Sequence, residues 1–286
     1  MNRNLLFSFG CLAAAGCVLT ANAQYFDDFN TASDPNWTRW VPRATATVTF
    51  PQYQPGNFGY ELADAPGTSS FFTTARVASY VTALSVTDFT VSADLVNWNG
   101  SDEMVQGVIA RVQSPISNAG AFPACYMLSY VNRFSVRTNG TDQLRIWAMG
   151  PNTLTYINDG LGNQGQFNVV PGGSSSPQPG GHYRLFFLGT GFSFIGKIMD
   201  LSTGQFMTFN DGNGNLTDYI HATDTSALYA SGSAGVGTFV NTLTPGVDTT
   251  FDNFSALPEA PEPSSLALAA LGLAALYTTR RQQPRR

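Results

Sequence analysis

Phe89-Thr90-Val91-Ser92-Ala93-Asp94-Leu95 alternates strictly, with Phe89, Val91, Ala93 and Leu95 on one face and Thr90, Ser92 and Asp94 on the other. A period of two marks a strand with one face turned to a core. Downstream, residues 183–188 and 192–199 are two more strand-like runs, and Gly189-Thr190-Gly191 between them signals a hairpin. Further β-rich runs fall at 107–112, 125–131, 134–137, 144–148, 235–240 and 249–255, with turn signals at Asn139-Gly140 and Asn158-Asp159-Gly160. No window outside the two chain ends carries a helical period, and no internal repeat is present. Residues 172–181, rich in Gly, Ser and Pro, form a surface loop within one domain, because strand signals continue on both sides. The expected fold is all-β, a two-sheet antiparallel jelly-roll sandwich.

Composition agrees. The 286 residues include Lys+Arg 14 against Asp+Glu 19, a formal charge of -5, with 12% charged and 13% aromatic residues. That is too little charge for a coiled coil or a disordered chain. The acidic surplus speaks against a nucleic-acid partner, and Cys 3 is too few for a disulfide scaffold.

The ends read as addresses. Met1-Asn2-Arg3-Asn4 gives a basic start, residues 5–20 are mostly apolar and small, and Ala21-Asn22-Ala23 is an A-x-A site. These are the parts of a secretory signal peptide, residues 1–23, cut by signal peptidase after Ala23 to leave Gln24 first. Lipoprotein processing at Cys17 is the alternative, although Ala14 makes a weak lipobox. At the other end, Pro261-Glu262-Pro263 precedes an apolar segment, residues 264–279, closed by Arg280 and Arg281. As a helix those 16 positions span about 24 Å, short of a ~30 Å hydrocarbon core. A transient membrane tail suits that length, with the arginines at the cytoplasmic end. Between the ends lies one domain, residues 24–257, with nine basic and 17 acidic residues, a formal charge of -8, and Cys125 as its single cysteine. Cys125 is expected in the core.

The tail, residues 258–286, resembles a PEP-CTERM sorting signal: the Pro-Glu-Pro triplet, the apolar helix and the terminal arginines stand in that order. Gln282, Gln283 and Pro284 interrupt the basic cluster. The resemblance implies processing near Pro263 by an exosortase, a membrane-embedded cysteine protease-transpeptidase. It also implies a surface or matrix location in a Gram-negative bacterium that makes extracellular polysaccharide. The body is similar to concanavalin A-like, laminin-G-like jelly rolls. The carriers are Phe26-Asp27-Asp28-Phe29, residues 88–94, Tyr183-Arg184-Leu185, Gly235-Val236-Gly237 and Phe251-Asp252-Asn253-Phe254. That resemblance implies neighbouring first and last strands and glycan binding, often with Ca²⁺.

Three constellations are candidates for chemistry. Asp27, Asp28 and Asp252 would converge if the first and last strands pair, and Ca²⁺ takes six to eight such oxygens. The competing reading is polar strand ends bonded to nearby backbone. Trp98, Asn99 and Asp102 place a flat apolar ring beside amide and carboxylate, the groups that hold a sugar; the competing reading puts Trp98 in the core, where Trp37 and Trp40 are expected. Only Glu61 and Glu103 supply glutamates to the body, which weakens a glycosidase reading. The segment Asn210-Asp211-Gly212-Asn213-Gly214-Asn215 lacks the EF-hand glycine and acid and reads as a turn. His182 and His221 are isolated, and no nucleophile elbow or phosphate loop occurs. The expected function is therefore an exported, non-catalytic surface or matrix protein that binds extracellular polysaccharide. A glycan hydrolase on the same sandwich and a self-packing structural coat protein are the alternatives.

Overall fold

The structure, a computed structural model, describes residues 24–67, 74–100, 103–113, 122–134, 141–150, 154–157, 164–169, 171–240 and 246–258. The leader and the sorting tail lie outside these residues, as do Asp102 and both predicted turns at 139–140 and 158–160. Among the described residues there are strands and turns only, and no helix long and apolar enough to cross a membrane.

The strands in chain order are β1 (Tyr25–Asp27), β2 (Trp37–Trp40), β3 (Thr47–Thr49), β4 (Gln52–Gln54), β5 (Asn57–Phe58), β6 (Tyr60–Asp64) and β7 (Arg76–Val86). Next come β8 (Phe89–Trp98), β9 (Met104–Val112), β10 (Cys125–Phe134), β11 (Thr141–Met149), β12 (Leu154–Tyr156), β13 (Gln164–Gln166) and β14 (Tyr183–Thr190). The chain finishes with β15 (Ser193–Asp200), β16 (Gln205–Phe206), β17 (Phe209–Asn210), β18 (Leu216–Thr217), β19 (Ile220–Thr223), β20 (Gly232–Val240) and β21 (Val247–Pro258).

They form two antiparallel sheets. The first runs β16-β15-β14-β8-β21-β6-β3, with β1 on β21 and β19 on β15. The second runs β18-β17-β13-β11-β10-β9-β20-β7-β2, with β12 on β11. A small hairpin, β4-β5, stands apart. As expected, the first and last strands are neighbours: Tyr25 pairs with Ala256 and Asp27 with Phe254.

The alternation in β8 sets the layers. Phe89, Val91, Ala93 and Leu95 are fully buried between the sheets with Leu185 and Phe187 of β14, Phe194 and Ile198 of β15, and Phe251, Phe254 and Ala256 of β21. The opposing sheet contributes Val77, Val108, Tyr126, Leu128, Leu144 and Val236. Gly196 exists because of this contact: a Cβ there would lie 2.3 Å from Leu128 Cδ1.

The second sheet is buried on its outer face as well. Trp40, Tyr80, Ile109, Cys125, Met127, Trp147 and Phe239 belong to a separate apolar cluster there. Across its middle, Ala78, Gly237, Gly107 and Ser129 stand side by side in register, a trough of small residues. Among the described residues of the cluster, Phe122 comes from outside the strands; its ring meets Trp40 and Phe239 and lies over Gly237, where a Cβ would come within 2.7 Å of Phe122 Cζ.

Candidate functional site

The outer face of the first sheet carries the polar chemistry. One row across it reads Met199, Arg184, Asp94, Asp252, fixed by the pairing of β15, β14, β8 and β21. Arg184 donates two hydrogen bonds to Asp94, from Nε at 2.5 Å and Nη2 at 2.8 Å. Asn253 Nδ2 donates to Asp94 Oδ2 at 2.9 Å and to Asp252 Oδ2 at 3.1 Å. Asn253 reaches both because β21 bulges after Asp252, with Asn253 at φ 46°, a conformation asparagine tolerates. The Tyr53 hydroxyl of β4 donates to Asp252, tying the hairpin onto the sheet. Gly59, just after the hairpin, permits this approach: a Cβ there would sit 2.3 Å from Thr250 Cγ2.

Electrostatics follow from this packing. The hydrogen bonds to Asp94 hold the Arg184 guanidinium above its ordinary pKa, against the opposing effect of burial. Burial pushes the Asp252 carboxyl up, although the bonds from Tyr53 and Asn253 oppose it. The Tyr53 hydroxyl is raised by burial and by Asp252. Asp94 and Asp252 are buried and fully engaged, so this row ties strands together.

Two rows along, the same face is open. Lys197 of β15 donates to Asp218 Oδ2 at 3.0 Å, and its ammonium lies 4.6 Å from the centre of the Phe206 ring and 5.8 Å from that of Tyr219. Phe206 packs edge-on against Phe186 of β14. Tyr219 is 43% exposed, Leu216 50% and Phe206 37%. Tyr219, His221, Asp218, Thr217, Asp211 and Asn215 are among the residues lining a cleft of about 560 Å³. One wall is the Asn210–Asn215 turn, which holds itself together. Asn210 Oδ1 accepts from the amides of Gly212 and Gly214 at 2.8 and 3.0 Å, and Asp211 accepts from Asn213 and Asn215. Slight burial opposes those bonds, but they keep the Asp211 carboxyl below the usual range. This segment is a turn, as its sequence suggested. The site missed by sequence reading had one signal: Lys197 is the single lysine of the chain, set in a strand among aromatic residues.

The sequence candidates fall elsewhere. Trp98 is 2% exposed, its ring against Tyr130 and Tyr183, and its indole N–H meets no acceptor. It therefore offers no face to a sugar, which corrects the stacking role expected of it. The cause is a register shift at Val96, where Leu95 pairs with Phe251 but Asn97 with the adjacent Thr250. The extra residue turns Asn97 outward and Trp98 inward. Asn99 is exposed and donates to Gly246 O at 3.1 Å. Gly100 borders a second cleft of about 330 Å³ with Tyr130, Asn132, Asp142 and Gln178.

Asp27, Asp28 and Asp252 are each held by protein donors, and the Asp28 charge adds to the upward push on Asp252. Asp27 accepts from the Phe29 amide and from Trp37 Nε1, both at 2.9 Å, Asp28 from the Asn30 amide at 3.2 Å, and Asp252 from Tyr53 and Asn253. No group of three or more His, Cys, Asp or Glu suited to a metal ion occurs among the described residues. The strand-end reading fits these contacts. Trp37, Trp40 and Cys125 are buried as expected, and burial raises the Cys125 thiol well above its ordinary pKa.

Comparison with known proteins adds two findings. Residues 259–282 match the PEP-CTERM protein-sorting motif. The fold is similar to lectin II from Ulex europaeus, with TM-score 0.50 and 10% identity over 83% of this chain and 99% of that one. It is also similar to lectin UEA-II complexed with galactose, with TM-score 0.51 and 10% identity over the same shares. A carbohydrate-binding module, CBM66 from Bacillus subtilis, aligns with TM-score 0.48 and 11% identity over 78% of this chain and 95% of that one. No curated protein matches the sequence. At 10% identity the likeness to the two Ulex lectins speaks for the fold alone, a two-sheet sandwich.

Proposed function

We propose that this is an exported protein, sorted to the cell surface by its PEP-CTERM tail, whose sandwich binds a neutral glycan in the Lys197–Tyr219 cleft without cleaving it. The tail motif supports signal-peptidase export and exosortase processing. The observation that carries the binding reading is the open cleft itself. Exposed Tyr219 and Leu216 offer apolar surface for sugar C–H groups, Asp218, His221 and Thr217 offer donors and acceptors for hydroxyls, and Lys197 stands beside the cleft on Asp218. A body charge of -8 disfavours strongly anionic polysaccharides. The non-catalytic reading is supported by Glu61. Its carboxyl contacts that of Asp248 and accepts from Thr49, whereas a glycosidase pair stands about 5–9.5 Å apart across the scissile bond.

The test is calorimetric titration with neutral glucan, galactan and mannan oligosaccharides, in calcium and in chelator. Saturable binding is expected, equal in both, because the carboxylates of Asp27, Asp28 and Asp252 are already held by protein donors. Tyr219→Ala should weaken it at least ~10-fold, about 1.4 kcal/mol, with an unchanged melting temperature. Bound sugar should also slow acylation of Lys197. Binding indifferent to Tyr219→Ala would move the site elsewhere, and release of shorter sugars would make the protein a hydrolase.

A further inference from the structure

Building on the glycan reading above, on which this step rests, we infer that the ligand is a linear chain of sugars, held across two adjoining clefts. The second cleft, of about 480 Å³, opens between residues 174–178 and the turn that joins β15 to β16. Tyr183, Phe206 and Met207 give it apolar wall, and Ser175, Gln178 and Gln205 give it hydroxyl and amide groups. Ser175 and Gln205 are exposed, and their side chains make no hydrogen bond among the described residues. The Tyr183 hydroxyl accepts from the Gln178 amide at 3.1 Å, which leaves its own proton without an acceptor among the described residues. An aromatic surface beside uncommitted polar groups is the chemistry that holds a sugar.

The topology sets the two clefts along one edge of the sandwich. β16 and β19 pair with β15 on the side away from β14, one after the other, with Phe206 opposite Met199 and His221 opposite Ile195. Residues 205–210 then cross from β16 in the first sheet to β17 in the second. This crossing segment is the ridge between the clefts: Gln205, Phe206 and Met207 line one, and Thr208 lines the other. The ridge is pinned at its middle, where the Thr208 amide donates to Ser174 Oγ at 2.9 Å and the Thr208 carbonyl accepts from the Ser174 amide at 2.7 Å. Lys197 links the two sides. Its ammonium lies 4.6 Å from the centre of the Phe206 ring and 5.8 Å from that of Tyr219, so the two rings are no more than about 10 Å apart. Each cleft alone has the volume of a small-ligand site. One sugar ring covers one aromatic face, so Phe206 and Tyr219 serve successive parts of one chain. Asp218 pairs with Lys197 between them, which suits a chain without charge.

The experiment titrates the full chain with glucan, galactan and mannan oligosaccharides graded from disaccharide to hexasaccharide. In the series that binds, affinity should rise at least ~10-fold from the shortest to the longest. Phe206→Ala should leave the disaccharide unchanged and weaken the hexasaccharide at least ~5-fold, removing most of the gain with length. Gln205→Ala, at an exposed position that packs against little, should act in the same direction and guards against a folding defect in the first variant. Tyr219→Ala should weaken both sugars. Equal affinity at every length, or a gain with length that neither Phe206→Ala nor Gln205→Ala reduces, would overturn the inference and leave the glycan reading standing. Sensitivity to Phe206→Ala without sensitivity to Tyr219→Ala would put the ligand in the second cleft alone and overturn the joined groove. Absence of binding at every length would overturn both readings.

Discussion

Asp94 accepts hydrogen bonds from Arg184 and Asn253 while almost wholly buried, so its charge has no water to fall back on. Asp94→Asn leaves the shape but removes the charge that Arg184 answers. Breaking such a pair costs about 3 kcal/mol, at the low end for buried pairs because the arginine is 32% exposed; chemical denaturation would measure it. A double variant adding Arg184→Met should recover part of the loss, since the guanidinium is then no longer left without its carboxylate. Sequence alone showed Asp94 as an outward position of an alternating strand. It could not show Arg184, 90 positions away, as its partner, because only the strand order β14-β8-β21 brings them together. Trp98 illustrates the same limit. One bulged residue reverses the parity on which reading a face depends, and nothing in the local sequence of Val96 announces it.

Among the elements, the β4–β5 hairpin is held by few contacts. Tyr53 ties it to Asp252, and its ring stands edge-on to His182 at 5.8 Å. Tyr53→Phe should accelerate amide exchange across residues 52–58 at least several-fold while moving the global melting temperature by little, because local opening and global unfolding are separate events. Strands β8, β9, β11, β14, β15, β20 and β21 were legible in sequence because alternation or flanking turns marked them. Two runs seen separately, at 125–131 and 134–137, fall on β10, which is bulged between Val131 and Phe134; residues 135–137 lie outside the described range. β7 escaped notice although it is 11 residues long. Its first six positions are all buried, so no alternation betrays it.

At the scale of the whole molecule, carboxylates with opposite environments set the acid limit. Burial opposes ionisation of Asp34, but hydrogen bonds from Arg39 and Tyr60 outweigh it and hold its pKa below the ordinary value. A lowered carboxyl stabilises the fold above its unfolded pKa of about 3.9 and loses that stabilisation as pH falls through the folded value. Asp252 is raised, so its contribution has the opposite sign. Melting temperature should therefore fall below about pH 4 in the native protein, and fall less steeply in Asp34→Asn, which has already lost that carboxylate. The broad architecture and the sorting motif were visible from patterns that lie close together in the chain. The cleft beside Lys197 was not, because the Asn210–Asn215 turn, β18 and β19 assemble it, and only the pairing of β19 with β15 sets it next to the lysine. The pairing of β1 with β21 has a mechanical corollary. Tyr25 pairs with Ala256, so Gln24 and Pro258 leave from the same end of adjacent strands, and the covalent order of the strands is dispensable to the sandwich. A circular permutant that joins these ends by a short glycine linker and opens the tight turn at Gly191 should fold with the native circular dichroism spectrum. Both ends leave at one pole of the sandwich, so the Asn99–Gly100 turn at the opposite pole is the point farthest from any fusion made at either end.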